Sequence, residues 1–324
     1  MRTGTWVAAG WLMVILHTAS WASDAPTAQQ WLQKLQTAAD KLEYTGVFVY
    51  QQGGAVQASR VVHVVEPDGA REKLEVLDGT PREVFRQGDE TRCLMPDSRT
   101  VLVERGAQRD AFPALLQATP QKIAQYYDVK RVGSERVAGL DTDVLTLGPR
   151  DKMRFGYRLW VDRQTGLLVK AQTMDERSQI VEQIAFTELR IGGPIDRNAL
   201  KPSWDTQGWR VEHASATTQA LTRWSVNSAV PGFEKTREVK RAVAGQHDVG
   251  QFVFSDGLAA ISVFIEPWRE GKPVAEIVAN RGSLNMLSRR HNEWLITVLG
   301  EAPMASIRAF AGAVEIRNPP SVKP

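Results

Sequence analysis

Residues that could perform catalytic chemistry are few and scattered in this chain of 324 residues. His63 alternates with valines in a strand-like segment and His247 adjoins Asp248 in a loop-like segment, so neither has the spacing of a metal pair or a catalytic triad. Cys93 is the single cysteine, and it has neither a CxxC partner nor a nearby His to lower its pKa. The sequence also lacks the motifs GxSxG and HExxH and the glycine-rich phosphate-binding patterns. We therefore predict a protein that is not an enzyme and uses no metal and no cofactor.

Tryptophan is the residue type that most suggests a binding role. Protein interfaces favour Trp, Tyr and Arg as anchors, and several indoles lie in or after the segment 204–220. The same indoles could instead pack one half of the chain on the other or seal a core, and the sequence leaves both readings open. The candidate partner-binding residues are Trp204, Trp209, Trp224, Phe264, Trp268 and Trp294.

The net charge argues against a nucleic-acid partner. The formal charge is only +3, and it falls to +2 without residues 1–22, in which Arg2 is the one charged residue. A domain that binds nucleic acid is usually far more basic. The apolar fraction of 43% and the charged fraction of 24% are those of an ordinary globular protein. The length permits two domains with cores large enough to need no disulfide.

The N-terminus is typical of an export signal. Arg2 precedes the apolar run Trp6–Leu16, and Ser20 to Ala22 offer small residues before a cleavage site. The apolar run is short for a membrane span, which favours a cleaved signal peptide over 1–22 rather than an anchor helix. No later segment is apolar enough to cross a bilayer. We expect an exported protein whose mature form starts near Ser23.

The segment from Met153 to Asp175 is the clearest structural element in the sequence. Apolar and polar residues alternate on both sides of the polar break Asp162–Gly166, which predicts an antiparallel hairpin. Further elements are predicted as an amphipathic helix over 25–42, short helices at Pro113 and Pro120, and strands within 44–104, 129–147 and 179–189. The strands follow too closely for parallel crossovers. The predicted fold class is α+β: a strongly curved, unclosed antiparallel β-barrel with helices in its concave face.

A second domain is predicted after a change in composition. Residues 23–203 would form the first domain, and the Ser/Thr/Gln-rich stretch 204–220 would be a linker. Residues 221–318 contain several strand patterns, a hairpin signal at Ser255–Gly257 and a short helix over 303–311. They predict a smaller antiparallel sheet with one helix, followed by a loose tail at 319–324.

Several segments together resemble the RseB/MucB family of negative regulators of the envelope-stress sigma factor, sigma-E or AlgU. The segments that carry the resemblance are LDGTPREVFRQGDE around Pro81–Val84, the triplet Tyr126–Asp128, the hairpin YRLWVDRQTGLLVKAQTMD, and Phe254–Leu258 leading into ISVFIEP. Their order and spacing match over essentially the whole chain after the signal. The region 204–220 matches least.

The resemblance implies a fold, a location and partners. It implies an N-terminal domain folded like the lipoprotein carriers LolA and LolB, and a C-terminal domain that contacts an anti-sigma factor of the RseA/MucA type. Members of the family act in the periplasm, where they shield that anti-sigma factor from the proteases that degrade it. Lipopolysaccharide or mislocalised lipoprotein is thought to release the partner. The sequence does not determine the oligomeric state, so a homo-oligomer stays open.

Strand alternation nominates residues that could contact such a lipid. The apolar candidates for the concave face are Val47, Val49, Val62, Val64, Leu74, Val76, Leu159 and Val161. A register error of one residue would turn each of them outward. The basic candidates for a phosphorylated headgroup are Arg82, Arg86, Arg154 and Arg158, although arginines are also common on solvated strand faces. An alternative function on the same barrel is a lipid or lipoprotein carrier of the LolA/LolB type, against which the second domain argues.

Overall fold

The computed structural model describes residues 26–106, 112–213, 216–217, 221, 223–243, 246–269 and 275–316. The predicted signal peptide (1–22) and the predicted tail (319–324) lie outside these residues. The described chain is mostly strand with few helices, and it forms one large unclosed sheet and a separate smaller antiparallel sheet. The predicted α+β fold class is therefore confirmed. Among the described residues, no helix is long and apolar enough to cross a membrane.

The large sheet has twelve strands in the order β12-β6-β5-β4-β3-β2-β1-β11-β10-β9-β8-β7. Its strands are β1 (Tyr44–Gln52), β2 (Ala55–Glu66), β3 (Gly69–Val76), β4 (Arg82–Gln87), β5 (Glu90–Met95), β6 (Thr100–Arg105), β7 (Tyr127–Val137), β8 (Leu140–Pro149), β9 (Gly156–Asp162), β10 (Leu168–Met174), β11 (Ile180–Ile191) and β12 (Arg210–His213). All pairs are antiparallel except β12 with β6.

Two helices cover one face of this sheet, α1 (Ala28–Lys41) and α2 (Pro120–Tyr126). The side chain of Thr27 starts α1 by accepting a hydrogen bond from Gln30 N, and the Gln30 side chain accepts one from Thr27 N in a capping box. Helix α2 starts at Pro120, as the sequence predicts, with the Thr119 hydroxyl as its cap. The short helix predicted at Pro113 does not form. We call the face of the sheet that carries α1 and α2 the inner face.

The inner face holds the main apolar core. Residues of α1, α2 and strands β1, β2 and β7–β11 pack there into two adjoining clusters. Their buried members are Trp31, Leu32, Leu35, Ala38, Tyr44, Phe48, Val61, Ile123, Tyr127, Leu145, Leu147, Tyr157, Leu159, Val161, Leu167, Leu168, Val169, Ala171, Phe186 and Leu258. Leu258 belongs to the C-terminal half, so this core is built from both halves of the chain.

A long connecting segment crosses the outer face of the large sheet. We call residues 192–213 the strap; it contains a 3-10 turn (Arg197–Leu200) and ends in β12. The buried ion pair between Lys73 and Glu83, 2.7 Å apart, holds it. Lys73 Nζ donates to Lys201 O at 2.8 Å, and Glu83 accepts from Ser203 N at 3.1 Å. Within the predicted linker, Trp204 and Trp209 pack on the sheet, and residues 210–213 pair with its strand β6.

The smaller sheet has seven strands in the order β13-β15-β16-β17-β20-β19-β18. Its strands are β13 (Ala216–Thr217), β15 (Glu234–Val243), β16 (Gln246–Ser255), β17 (Ala260–Pro267), β18 (Ile277–Arg281), β19 (Leu284–His291) and β20 (Trp294–Gly300), and a short pair joins β14 (Trp224–Val226) to β21 (Val314–Ile316). Helix α3 (Met304–Gly312) packs on one face through Ile307 and Phe310, which form a core with Phe252 and Phe254.

Candidate functional site: an open apolar row and the junction of the two domains

An apolar row crosses the inner face beyond the helices. Val61, Leu74, Val84, Cys93 and Leu102 are direct cross-strand partners on β2 to β6. Val61 is buried, whereas the other four are half-buried. Burial raises the pKa of the Cys93 thiol, in keeping with its apolar surroundings. We call these five residues the inner row; they offer a continuous strip of apolar surface about five strands wide.

Some of the apolar residues that were predicted to face inward do so, and the others face the outer side of the sheet. Leu159 and Val161 lie in the inner core, Leu74 belongs to the inner row, and Val76 lies on the same face two residues after Leu74. Arg82 and Arg86 also lie on the inner face, opposite Val76 and Glu72, and Arg86 is paired with Glu72 at 2.6 Å.

The expected inward orientation is wrong for Val47, Val49, Val62 and Val64. They alternate with Phe48, Val61 and His63, which face inward, so these four valines face the outer side of the sheet. The physical reason is that both faces of β2 are buried, the outer one beside the strap, so hydrophobicity alone does not distinguish them. Val62 is 4% exposed and Val64 is fully buried even though neither faces the helices.

Arg154 and Arg158 are not inner-face residues either. Arg158 alternates with Tyr157 and Leu159 and therefore points to the outer face. Arg154 lies before β9, is 3% exposed, and contacts the C-terminal domain. The expectation that it meets a headgroup is wrong, because its charge is already satisfied inside the protein. Nothing in the sequence places Arg154 beside Asp256, because that proximity depends on how the two sheets dock.

Arg154 and Asp256 form a buried ion pair between the two domains. Arg154 Nη1 donates to Asp256 Oδ2 at 2.9 Å, and both side chains are fully buried. The Tyr127 hydroxyl donates to the same oxygen at 2.8 Å. Asp256 Oδ1 accepts from the backbone N–H groups of Leu258 and Ala259, at 2.9 Å each. Both carboxylate oxygens are thus satisfied, which a buried charge requires.

Aromatic rings and a second acid enclose the guanidinium of Arg154. Its central carbon lies 4.5 Å from the ring centroid of Tyr126 and 5.3 Å from that of Phe233. Its Nε donates to Asp151 Oδ2 at 3.0 Å, and Nη2 donates to Pro231 O. We call Arg154, Asp256 and Tyr127 the latch. It joins the large sheet to the hairpin turn of the small sheet with charge-assisted hydrogen bonds.

Two glycine turns make the domain contact tight. A Cβ added to Gly257 would lie 2.2 Å from Ala118 Cβ, and one added to Gly282 would lie 2.4 Å from Gln52 Cγ. Both turns have positive φ, +96° and +57°, which glycine adopts without strain. Gln117 N also donates to Gly257 O at 2.8 Å. The small sheet therefore rests on the large one through the turns at one end of its strands.

Glu182 forms a second polar contact at this junction. Ser283, in the turn before β19, donates its hydroxyl to Glu182 on β11. Burial raises the pKa of the Glu182 carboxyl above its ordinary value, although hydrogen bonds from Ser283, Tyr50 and Gln52 act in the opposite direction. Burial also raises the pKa of Tyr50, which stays protonated near neutral pH. Burial thus holds the Glu182 carboxyl at this contact toward its neutral form, since its pKa is raised.

Replacing Glu182 by Gln is expected to stabilise the protein more at pH 7 than at pH 4. A carboxyl whose pKa is raised by folding contributes stability that is present below its unfolded pKa and is lost as the pH rises through the folded pKa. The neutral amide keeps the size of the side chain but does not ionise. Thermal unfolding of both proteins between pH 4 and pH 8 measures the difference. A difference in melting temperature that stays constant or shrinks with rising pH contradicts this expectation.

The predicted partner-binding residues lie in three places. Trp204 and Trp209 stack with ring centroids 6.4 Å apart and pack on Leu94, Val101 and Val103, on the outer face. Trp224 and Trp294 are 5% and 6% exposed in the core of the small sheet, so packing explains them.

Phe264 and Trp268 lie on the face of the small sheet opposite its core. Phe264 alternates with the core residues Val263 and Ile265 and is half-buried. The ring of Trp268, also half-buried, lies 3.7 Å from the guanidinium carbon of Arg290, which projects from the same face. These two aromatic side chains are therefore the partner-binding candidates that remain available outside a core. In the described part of the chain, no group of three or more His, Cys, Asp or Glu residues could hold a metal ion.

Comparison with known proteins finds the same family over both domains. The family model for the MucB/RseB N-terminal domain matches residues 27–204, and the model for the MucB/RseB C-terminal domain matches residues 218–315. The sigma factor AlgU regulatory protein MucB of Pseudomonas aeruginosa is 33% identical over 296 residues, which cover 90% of this chain and 91% of that protein. The sigma-E factor regulatory protein RseB of Haemophilus influenzae is 24% identical over 298 residues, covering 90% and 92% of the two chains.

Two solved structures agree with this assignment. The crystal structure of MucB in complex with MucA(peri) is 30% identical, with a TM-score of 0.72, and the match covers 90% of this chain and 100% of that one. A complex structure of Pseudomonas aeruginosa MucA/MucB gives a TM-score of 0.73 at the same identity, with 90% and 99% covered. The sequence models cover residues 27–204 and 218–315, and the structural matches cover 90% of the chain. The chain belongs to the MucB/RseB family of sigma factor regulatory proteins.

Proposed function

We propose that this chain binds the periplasmic part of a membrane anti-sigma factor of the MucA/RseA type and shields it from proteolysis. The observation that carries this proposal is the match over 90% of the chain to a MucB structure solved with MucA(peri). Shielding keeps the sigma factor sequestered, so the stress response stays off. The protein would act in the periplasm, after export directed by residues 1–22.

The face of the small sheet opposite its core offers candidate contacts for a protein partner. Phe264 and Trp268 present half-buried aromatic surface there, and Arg290 adds a cation beside Trp268. Aromatic and arginine side chains are the usual anchors of protein interfaces. We propose that Phe264 and Trp268 contact the anti-sigma segment.

We further propose that the inner row binds an acyl chain of lipopolysaccharide or of a lipoprotein. Its apolar side chains lie half-open beyond the helices, and each CH₂ group buried there would contribute about 0.8 kcal/mol. Arg82 lies on the same face and is exposed, so it could approach a phosphorylated headgroup. Arg86 could do so only by leaving Glu72, to which it is paired.

Lipid can release the anti-sigma factor only if it binds the partner-free state more tightly than the complex. The inner row lies on the large sheet and the proposed partner contacts lie on the small one. The latch and the two glycine turns join these sheets, so a change in their docking could couple the two sites. This coupling rests on both binding proposals.

The experiment that tests the main proposal is a calorimetric titration of the mature chain from Ser23 with the periplasmic segment of its cognate MucA/RseA-type protein. Cleavage of that segment by the site-one protease is followed in parallel, with and without lipopolysaccharide. We expect binding, protection from cleavage, and loss of both on adding lipid. Binding of lipid without binding of the segment would overturn the regulator in favour of a LolA/LolB-type carrier.

A matched pair of variants locates the partner contact. Phe264→Ser is expected to weaken binding of the segment, since the exchange removes an aromatic anchor from the face of the small sheet opposite its core. Val132→Ser removes an apolar side chain from β7, on the other sheet, where it is 55% exposed, and is expected to leave binding unchanged. Equal effects of the two substitutions would contradict a contact at Phe264.

The single cysteine provides a direct readout of lipid at the inner row. A bound acyl chain is expected to slow the reaction of Cys93 with a thiol reagent, because the chain would cover the half-buried sulfur. Val84→Glu is expected to abolish this protection by placing a charge next to Cys93 in the row. Val132→Glu, on the far edge of the sheet, serves as the control. Unchanged cysteine reactivity in saturating lipid would exclude the inner row as the lipid site.

A further inference from the structure

A cavity of about 550 Å³ lies between the strap and the outer face of the large sheet. Three apolar residues of the sheet line it, Phe85 of β4, Leu94 of β5 and Val101 of β6. The strap adds Leu200 and Pro202 from the other side. Phe85 and Leu200 are half-buried, so each leaves apolar surface that a ligand could cover. Pockets that bind small molecules commonly have this size and a mainly apolar lining with a few polar groups. We call this space the strap cavity.

Arg92 places a positive charge at the strap cavity. It belongs to the lining, and its side chain is 61% exposed. Its Nε donates to Glu90 Oε1 at 2.6 Å, and Glu90 Oε2 accepts from Arg105 Nη2 at 3.1 Å. Two arginines thus share one carboxylate, so this group of three side chains carries a net positive charge. The bond through Nε leaves the terminal amino groups of Arg92 in position to donate to an anion.

The remaining charged side chains of the lining are already paired. Arg71 pairs with Glu66 at 2.8 Å and with Asp68 at 3.1 Å. Glu72 and Arg86 pair with each other at 2.6 Å, and their side chains lie on the inner face. Arg92 is therefore the cation of the lining that is best placed to bind a ligand.

We propose that the strap cavity binds a small aromatic organic anion, with its ring against Phe85 and its acid group at Arg92. Phe85 and Arg92 are direct cross-strand partners, so the two contacts lie about 5 Å apart on one face of the sheet. One carboxylate or sulfonate on a fused ring system can therefore make both contacts. A rigid ring also loses less conformational freedom in a compact cavity than a long acyl chain does. The strap cavity is separate from the inner row, because Val84 and Cys93 lie on the opposite face of β4 and β5.

Fluorescence titration with anilinonaphthalenesulfonate, an aromatic sulfonate, tests the charged contact in the mature chain from Ser23. We expect saturable binding whose dissociation constant is weakened about tenfold in Arg92→Gln, because a charge-assisted hydrogen bond is lost. Arg105→Gln is the matched control, since Arg105 is the other partner of Glu90 but does not line the cavity. This control is expected to leave the affinity unchanged. Proflavine, an aromatic cation of similar size, is expected not to displace the dye.

Two neighbouring residues of β4 distinguish this site from the inner row. Phe85→Ser is expected to remove the binding that depends on Arg92, whereas Val84→Ser, on the opposite face, is expected to retain it. Bound dye should also slow proteolytic cleavage of the strap, because the dye joins the strap to the sheet.

The proposal is overturned if the dye shows no saturable binding, or if Arg92→Gln and Arg105→Gln have equal effects. It is also overturned if Val84→Ser removes the binding and Phe85→Ser retains it, which would assign the dye to the inner row. The side chains of Arg92 and Arg105 are 61% and 76% exposed, so their comparison does not depend on a variant that fails to fold.

Discussion

Replacing Arg154 by Met is expected to destabilise the protein by about 3–5 kcal/mol, the cost of removing one partner from a fully buried ion pair. Met approximates the length of the side chain but leaves the carboxylate of Asp256 buried with only the Tyr127 hydroxyl and two backbone N–H groups as donors. The change also removes the guanidinium that lies between Tyr126 and Phe233. Equilibrium unfolding in urea, followed by tryptophan fluorescence, measures the effect.

A double-mutant cycle separates this ion pair from general packing. Asp256→Asn retains one oxygen for the backbone donors, and its effect in the Arg154→Met background should be smaller than in the unmodified chain. Strictly additive effects would show that the two charges do not depend on each other. The glycine contact offers a second check, because Gly257→Ala forces Ala118 to move without changing any charge.

Replacing Lys73 by Met is expected to destabilise the protein by a similar amount, about 3–5 kcal/mol, because Glu83 is then left as a buried carboxylate without its cation. The Ser203 hydroxyl, 2.5 Å from Glu83, and Ser203 N remain as donors. Lys201 O loses the ammonium group that it accepts from. The strap should therefore loosen, and limited proteolysis should cut it faster than in the unmodified chain.

The paired replacement distinguishes a structural charge pair from a simple loss of packing. Lys73→Met with Glu83→Leu removes both charges at nearly constant volume, and buried ion pairs replaced in this way are often neutral or stabilising. The double variant is expected to regain most of the stability lost by Lys73→Met. If it is less stable than either single variant, the pair does not hold the strap in the way described.

Much of the fold follows from local patterns in the sequence. The hairpin of β9 and β10 forms where alternation and the break Asp162–Gly166 predict it, and Leu159 and Val161 face the core as expected. Helix α1 forms where the apolar spacing predicts it, because its buried face repeats at helical positions. Helix α1 has one buried face, so the period of its apolar residues also fixes its orientation.

The candidate site depends on strand register and on contacts between distant residues, which local sequence patterns do not contain. Strand β2 has four consecutive buried residues, Val61 to Val64, so alternation gives no preferred face. Composition predicts a linker over part of the strap, whereas the structure attaches the strap to β3 and β4. Composition does not reveal that attachment, because it is made by residues far apart in sequence. The sequence identifies Asp256 only as a turn residue. Its pairing with Arg154 cannot be predicted from local patterns, because it forms only when the two sheets are docked. Of the inner row, sequence reasoning nominated only Leu74, because the alignment of the other four residues depends on the register of neighbouring strands.

The position of Leu258 in the core of the large sheet has a consequence for the order of folding. Strands β1 to β12 are complete in sequence before Leu258 occurs, yet the core around Trp31 and Ile123 includes its side chain. The hydrogen bond from Tyr127 to Asp256 spans 129 residues, and contacts of such separation form late. A chain that is completed from its N-terminus would therefore hold the large sheet with an incomplete core until the small sheet folds onto it. During that interval the incomplete core is the part of the protein most exposed to chaperones and proteases.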